Sequence, residues 1–142
     1  MPHSILSRCE AQGLRLTDQR RVIAHVLEEA GDHPDVEALH ARAARVDPGI
    51  SIATVYRTVK LLEEAGILER HEFRMVGATR ARYEDAERDH HDHLIDLVTG
   101  EVVEFVDPEI EALQERIARR LGYDLKGHRL ELYGVRARKG EA

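Results

Sequence analysis

The sequence predicts an α+β protein of two small domains, residues 1–84 and residues 85–142. Three observations predict it. Between Ser4 and Ala65, apolar residues recur at helical spacing behind polar N-cap candidates. Two short strand-like runs follow at once. After residue 84 the pattern changes to strand, turn, strand, helix, strand.

Taken in order, Ser4 to Gln12 reads as a short helix closed by Gly13, and Thr17 is placed to cap a second helix carrying Val22, Ile23, Val26 and Leu27. Asp35 caps a third, with Val36, Leu39, Ala43 and Val46 on its apolar face and Asp47-Pro48-Gly49 as its stop. Ser51 caps a fourth that runs to Ala65, with Gly66 just beyond, where a left-handed residue is favoured. Ile67 to Phe73 and Ala81 to Glu84 then read as two strands around a loop containing Gly77. Helices joined by short turns and followed by a hairpin suggest a winged helix-turn-helix. In the second part, His93–Val98 and Val102–Val106 are strands around the turn at Thr99-Gly100. Asp107-Pro108 opens a helix whose stripe is Ile110, Leu113, Ile117 and Leu121, and Leu125 to Val135 is a last strand. Three strands and one helix bury little surface alone, so this part reads as a small α/β dimerisation domain that pairs with a second copy.

The chain has 142 residues, 42% of them hydrophobic, enough for a folded core. Nothing approaches the roughly 18-residue apolar run of a membrane helix, and the N-terminus lacks a secretory pattern, so the expectation is a cytoplasmic protein without a membrane partner. Cys9 is the single cysteine, which excludes an internal disulfide and a cysteine-cluster zinc site; it reads as a small buried hydrophobe. The net charge of −6 opposes binding to phosphate, but residues 1–84 hold 12 basic and 13 acidic side chains, against 9 and 14 in residues 85–142. The acidity therefore sits mainly in the second part, and the first can still present a basic face.

On the helix after Ser51, Ile52, Val55, Val59 and Leu62 share one side, leaving Ala53, Thr54, Tyr56, Arg57 and Lys60 outward. Arg57 can donate two hydrogen bonds to a guanine edge, Tyr56 can touch a thymine methyl or a phosphate, and Ser51 and Thr54 suit phosphate oxygens. With two helices before it and a wing after it, this helix is a candidate reader of double-stranded DNA.

Nine histidines is a high count, and three fall in His90-His91-Asp92-His93. Strand alternation sends His90 and Asp92 to one face and His91 and His93 to the other. Each pair can begin a metal site, with His33, Glu84, Glu104, Glu111 and His128 as candidate partners from element ends. Imidazole and carboxylate donors without thiolate suit Fe(II), Mn(II) or Zn(II) with little selectivity. The isolated histidines His3, His25, His40 and His71 read instead as surface or packing residues.

Three stretches carry a family resemblance: Gly13-Leu14-Arg15-Leu16-Thr17-Asp18-Gln19-Arg20-Arg21, Ser51-Ile52-Ala53-Thr54-Val55-Tyr56-Arg57-Thr58-Val59, and His90-His91-Asp92-His93-Leu94-Ile95. In this order and spacing the chain resembles the ferric uptake regulator (Fur) family over nearly its whole length. The resemblance implies a homodimeric, metal-loaded repressor of iron or manganese uptake genes that binds palindromic operators. It implies a regulatory site of His33, Glu84, His91, His93 and Glu104, and a second site of His90, Asp92, Glu111 and His128. The corepressor it implies is Fe(II) or Mn(II), with Zn(II) able to substitute in vitro. It further implies major-groove contacts by Tyr56 and Arg57 and a minor-groove contact by Arg15, beside the phosphate role read above for Thr54. The chain departs from the family pattern where most members carry Cys-x-x-Cys after the His-rich run: here the positions are Asp96 and Thr99. That departure resembles alphaproteobacterial members and rules out a structural zinc on cysteines. Glu84 and Glu104 stand where peroxide-sensing relatives tend to carry Asp.

Two other classes compete. A metal-dependent hydrolase would need an open coordination position and a substrate pocket, which no motif supplies. A metal buffer would have no use for the Ser51–Ala65 helix. A regulator rather than an enzyme is expected.

Overall fold

A computed structural model describes residues 4–75, 78–87 and 91–138. Two compact units emerge, one of Met1–Phe73 with Ala78–Arg88, the other of Arg74–Gly77 with Asp89–Ala142.

The first unit contains helices α1 (Ile5–Ala11), α2 (Asp18–Glu29), α3 (Val36–Val46) and α4 (Ile52–Glu64), then β2 (Ala78–Asp85) and all but the last two residues of its hairpin partner β1 (Leu68–Met75). Each helix begins where a side-chain oxygen takes up an otherwise unpaired amide. Ser4 accepts from Ser7, Thr17 from Arg20, Asp35 from Ala38 and Ser51 from Thr54. Gly13 and Gly66 lie at φ +70° and +75° just past α1 and α4, where a side chain would strain the backbone. Helix α2 packs against α1, α3, α4 and β2. Ile23, Leu27, Leu39, Ala43, Val55, Val59 and Leu62 close one core, joined by Ile5 and Cys9 from α1, Ile67 just before β1 and Tyr83 from β2. Burial pushes the Cys9 thiol upward and keeps it protonated, consistent with a packing role.

Helix ends correct the expected stripes. Val46, in the last turn of α3, is 64% exposed, and Ile52, in the first turn of α4, is 41% exposed, because both lie beyond the reach of neighbouring helices. Thr58 takes the inward place instead, its hydroxyl donating to the Thr54 carbonyl at 2.8 Å. Strand β2 begins at Ala78 rather than Ala81, because the hairpin pairs further than side-chain alternation indicates.

The second unit has β3 (Asp92–Asp96), β4 (Val102–Phe105), α5 (Pro108–Arg120) and β5 (Glu131–Gly134), with sheet order β4-β3-β5. Strand β3 pairs antiparallel with β4, placing His93 opposite Glu104, and parallel with β5, placing His93 beside Glu131. Strand β5 occupies four residues, much less than the expected Leu125–Val135, because β3, its only pairing partner among the described residues, is itself short. Asp107 and Pro108 start α5 as expected, but none of its residues is buried, and Leu113, Ile117 and Leu121 remain exposed. No helix among the described residues is long and apolar enough to cross a membrane.

The two units thus have unequal cores, and truncation should separate them. Leu39→Ala or Leu62→Ala in the first core should cost about 2–5 kcal/mol. Chemical denaturation followed by circular dichroism would measure it.

Candidate metal centres and DNA-reading helix

In the first unit the site grows from the end of β2. Glu84 is almost fully buried, and an ionised carboxylate out of water needs partners. Two imidazoles provide them: His33 Nε2 lies 2.9 Å from Glu84 Oε2, and His71 Nε2 lies 2.6 Å from Oε1. His33 sits in the α2–α3 connection, whose Pro34 carbonyl accepts from the Tyr83 amide, so backbone pairing brings it beside β2. His71 projects from β1 with its ring stacked on Phe73 at 5.2 Å and an interplanar angle of 4°. Burial raises the Glu84 carboxyl, but hydrogen bonds from His33 and His71 outweigh it and hold the group well below the usual carboxylate range. Glu69, two residues before His71 on the same strand face, places Oε2 3.6 Å from His71 Nε2.

In the second unit the described part of the His-rich run divides as strand alternation predicts. His91 and His93 lie together, ring centroids 4.7 Å apart, with His91 Nε2 3.6 Å from Glu104 Oε1. Asp92 takes a different set: His128 Nε2 is 2.8 Å from its Oδ1 and 3.7 Å from Glu111 Oε1. His128 comes from the segment before β5 and Glu111 from the first turn of α5, so three elements converge. His90, expected in this set, lies outside the described residues.

These groups suit a divalent ion on chemical grounds. All the donors are imidazole nitrogens or carboxylate oxygens, the mix expected for Fe(II), Mn(II) or Zn(II), and the one thiol is buried in the helical core. No cysteine cluster is available for structural zinc.

At Asp96, one of the positions where the family pattern has Cys, the carboxylate Oδ1 accepts the amides of Val98 at 2.8 Å and Thr99 at 3.0 Å. A hydrogen-bonded turn thus organises this corner, assisted by Arg136, which bonds Glu101 at 2.8 Å.

Helix α4 presents Tyr56 and Arg57 to solvent, and Arg57 Nη2 is 3.3 Å from the Thr54 hydroxyl, which also lies 3.0 Å from the Ser51 hydroxyl. Arg15, in the α1–α2 connection, is exposed, and its carbonyl accepts from Arg20 at 2.8 Å. Of the residues that sequence reasoning set aside, His71 is the one the fold brings into a candidate donor cluster. Its only sequence signal is its place two residues from both Glu69 and Phe73 on one strand face. His40, also set aside, does hold a packing position, bonding the Ile50 carbonyl at 3.0 Å.

A winged helix with an outward-facing polar reading surface, combined with imidazole–carboxylate centres, defines a metal-responsive DNA-binding transcriptional regulator. Comparison with known proteins makes the family specific. The ferric uptake regulator family matches residues 11–133, and the chain belongs to it. It is 62% identical over 131 residues to the ferric uptake regulation protein of Rhizobium leguminosarum bv. viciae, covering 92% of this chain and 90% of that one. Among solved structures it is similar to a zinc-bound manganese uptake regulator, at 58% identity and a TM-score of 0.80, covering 94% of this chain and 99% of that one. The Vibrio cholerae ferric uptake regulator is 36% identical with a TM-score of 0.81, covering 89% and 95%.

The Asp96 turn gives a pH dependence with a definite sign. Its carboxyl is held below the ordinary 3.8 by the Thr99 and Val98 amides, so its stabilisation is complete above that value and lost as pH falls through the lowered one. Acid unfolding of Asp96→Asn, which keeps the Oδ1 acceptor, should show a weaker pH dependence over this range than the wild type, while Asp96→Ala should be less stable even at neutral pH.

Proposed function

We propose that the chain acts in the cytoplasm as a homodimeric repressor, not an enzyme, and that when loaded with Fe(II) or Mn(II) it binds palindromic double-stranded DNA operators of iron or manganese uptake genes. The observation that carries this reading is the buried His33–Glu84 pair, a ready imidazole–carboxylate half-set inside the DNA-binding unit itself. In this reading His33 and Glu84 share one ion with His91, His93 and Glu104, and the second centre uses Asp92, Glu111 and His128 together with His90. A bound ion would supply positive charge and a restraint on the angle between units, favouring one spacing of paired winged helices from those already sampled.

The residues divide the remaining work. Glu84 and Glu104 bring the negative charge that selects a cation, while the imidazoles add directional donors. Tyr56 and Arg57 read the major groove, Thr54 and the α4 N-terminus meet phosphate, and Arg15 reaches the minor groove. The exposed stripe of Leu113 and Ile117 on α5 and Leu121 at its C-cap, with Leu132 on β5, supports pairing with a second copy, since that surface has no other cover among the described residues. The similarity to both a ferric and a manganese uptake regulator supports a corepressor of that pair.

Binding to a candidate palindrome, titrated anaerobically with Fe(II), Mn(II) and Zn(II) in turn, tests the reading. Tight binding should require metal, and equal affinity in chelator would refute it. His33→Ala should abolish the metal response. Arg57→Ala should lose about 1–3 kcal/mol of discrimination between specific and random DNA. Ile117→Asp should shift the chain from dimer to monomer in analytical ultracentrifugation.

A further inference from the structure

Within the second unit, Asp92, Glu111 and His128 form a triad of one imidazole and two carboxylates, one buried carboxylate at 2.8 Å from the ring nitrogen and a more exposed one at 3.7 Å. The first unit contains the same arrangement. His71 Nε2 stands 2.6 Å from buried Glu84 and 3.6 Å from Glu69, whose side chain is 57% exposed, and the three donor atoms lie within 4.8 Å of one another. Donor types, separations and graded exposure all correspond. We propose that Glu69, His71 and Glu84 form a further divalent-cation site, contained wholly in the winged-helix unit, that takes Mn(II), Fe(II) or Zn(II).

The local chemistry supports a third ion position. Glu84 directs its two oxygens to different imidazoles, Oε2 to His33 and Oε1 to His71, so the carboxylate can bridge two ions without choosing between them. His71 is held by its stacking on Phe73 and by burial, which limits the ordering a ligand would have to impose. Donors on an ion at about 2.1 Å stand about 3 Å apart at a right angle, so the 2.6 Å His71–Glu84 contact needs to open only a few tenths of an ångström as an ion replaces the shared proton. Glu69 lies at the solvent side, where the ion can keep waters in its remaining positions. The site shares Glu84 with the proposed regulatory set but takes nothing from the second unit.

Glu69→Gln tests the site in the full-length chain, because this exposed side chain is no part of the core or of the proposed regulatory set. Mn(II) binding followed by electron paramagnetic resonance should give one equivalent fewer per chain in Glu69→Gln than in wild type at saturation. Anomalous diffraction from Mn(II)-grown crystals should place density among Glu69, His71 and Glu84 in the wild type and none there in the variant. Equal stoichiometry in the two proteins, or no density at that position, overturns the site and leaves His71 only a hydrogen-bond donor to Glu84. The regulatory reading is tested separately by His33→Ala, so the failure of either is distinguishable from the failure of the other.

Discussion

A carboxylate taken out of water is tolerable only when donors surround it, and Glu84 is this chain's most consequential case. Its position at the end of β2 draws together the α2–α3 connection through His33 and the opposing strand through His71. Removing either imidazole leaves a buried charge partly unpaired. The winged helix therefore has, beside its apolar core, a polar centre built from imidazole and carboxylate groups, the side-chain types that can ligate metal. Stability and ligand chemistry meet on one side chain.

In the second unit the limiting physics is scarcity of core. Ile95 is the one buried aliphatic side chain of its strands and helix among the described residues, while Asp92, His93 and Asp96 are buried on the same strand. A strand that buries so many polar groups must pair them. Asp92 does so with His128, and Asp96 with two backbone amides of the following turn. Through those two amides the Asp96 carboxylate organises the turn that follows β3.

Much of this was legible in residues alone. The four helix caps, the glycines after α1 and α4, and Asp107-Pro108 before α5 are local signals whose physics involves only a few neighbouring residues. Alternation along the His-rich run separated Asp92 from His91 and His93 for the same reason, because pleat geometry is local. Val46, Ile52 and the α5 stripe were less legible. Periodicity identifies an apolar face but not the neighbour that covers it.

The sequence by itself determined the order of elements, the donor types and the family. Tertiary structure decided which donors meet. His71 and Glu84 are 13 residues apart, and Asp92 and His128 are 36 apart. Strand pairing and crossover connections bring them within hydrogen-bond distance, and those long-range contacts depend on which faces the whole chain can bury together. No window of sequence contains that information, so a histidine that reads as ordinary packing became the partner of a buried glutamate.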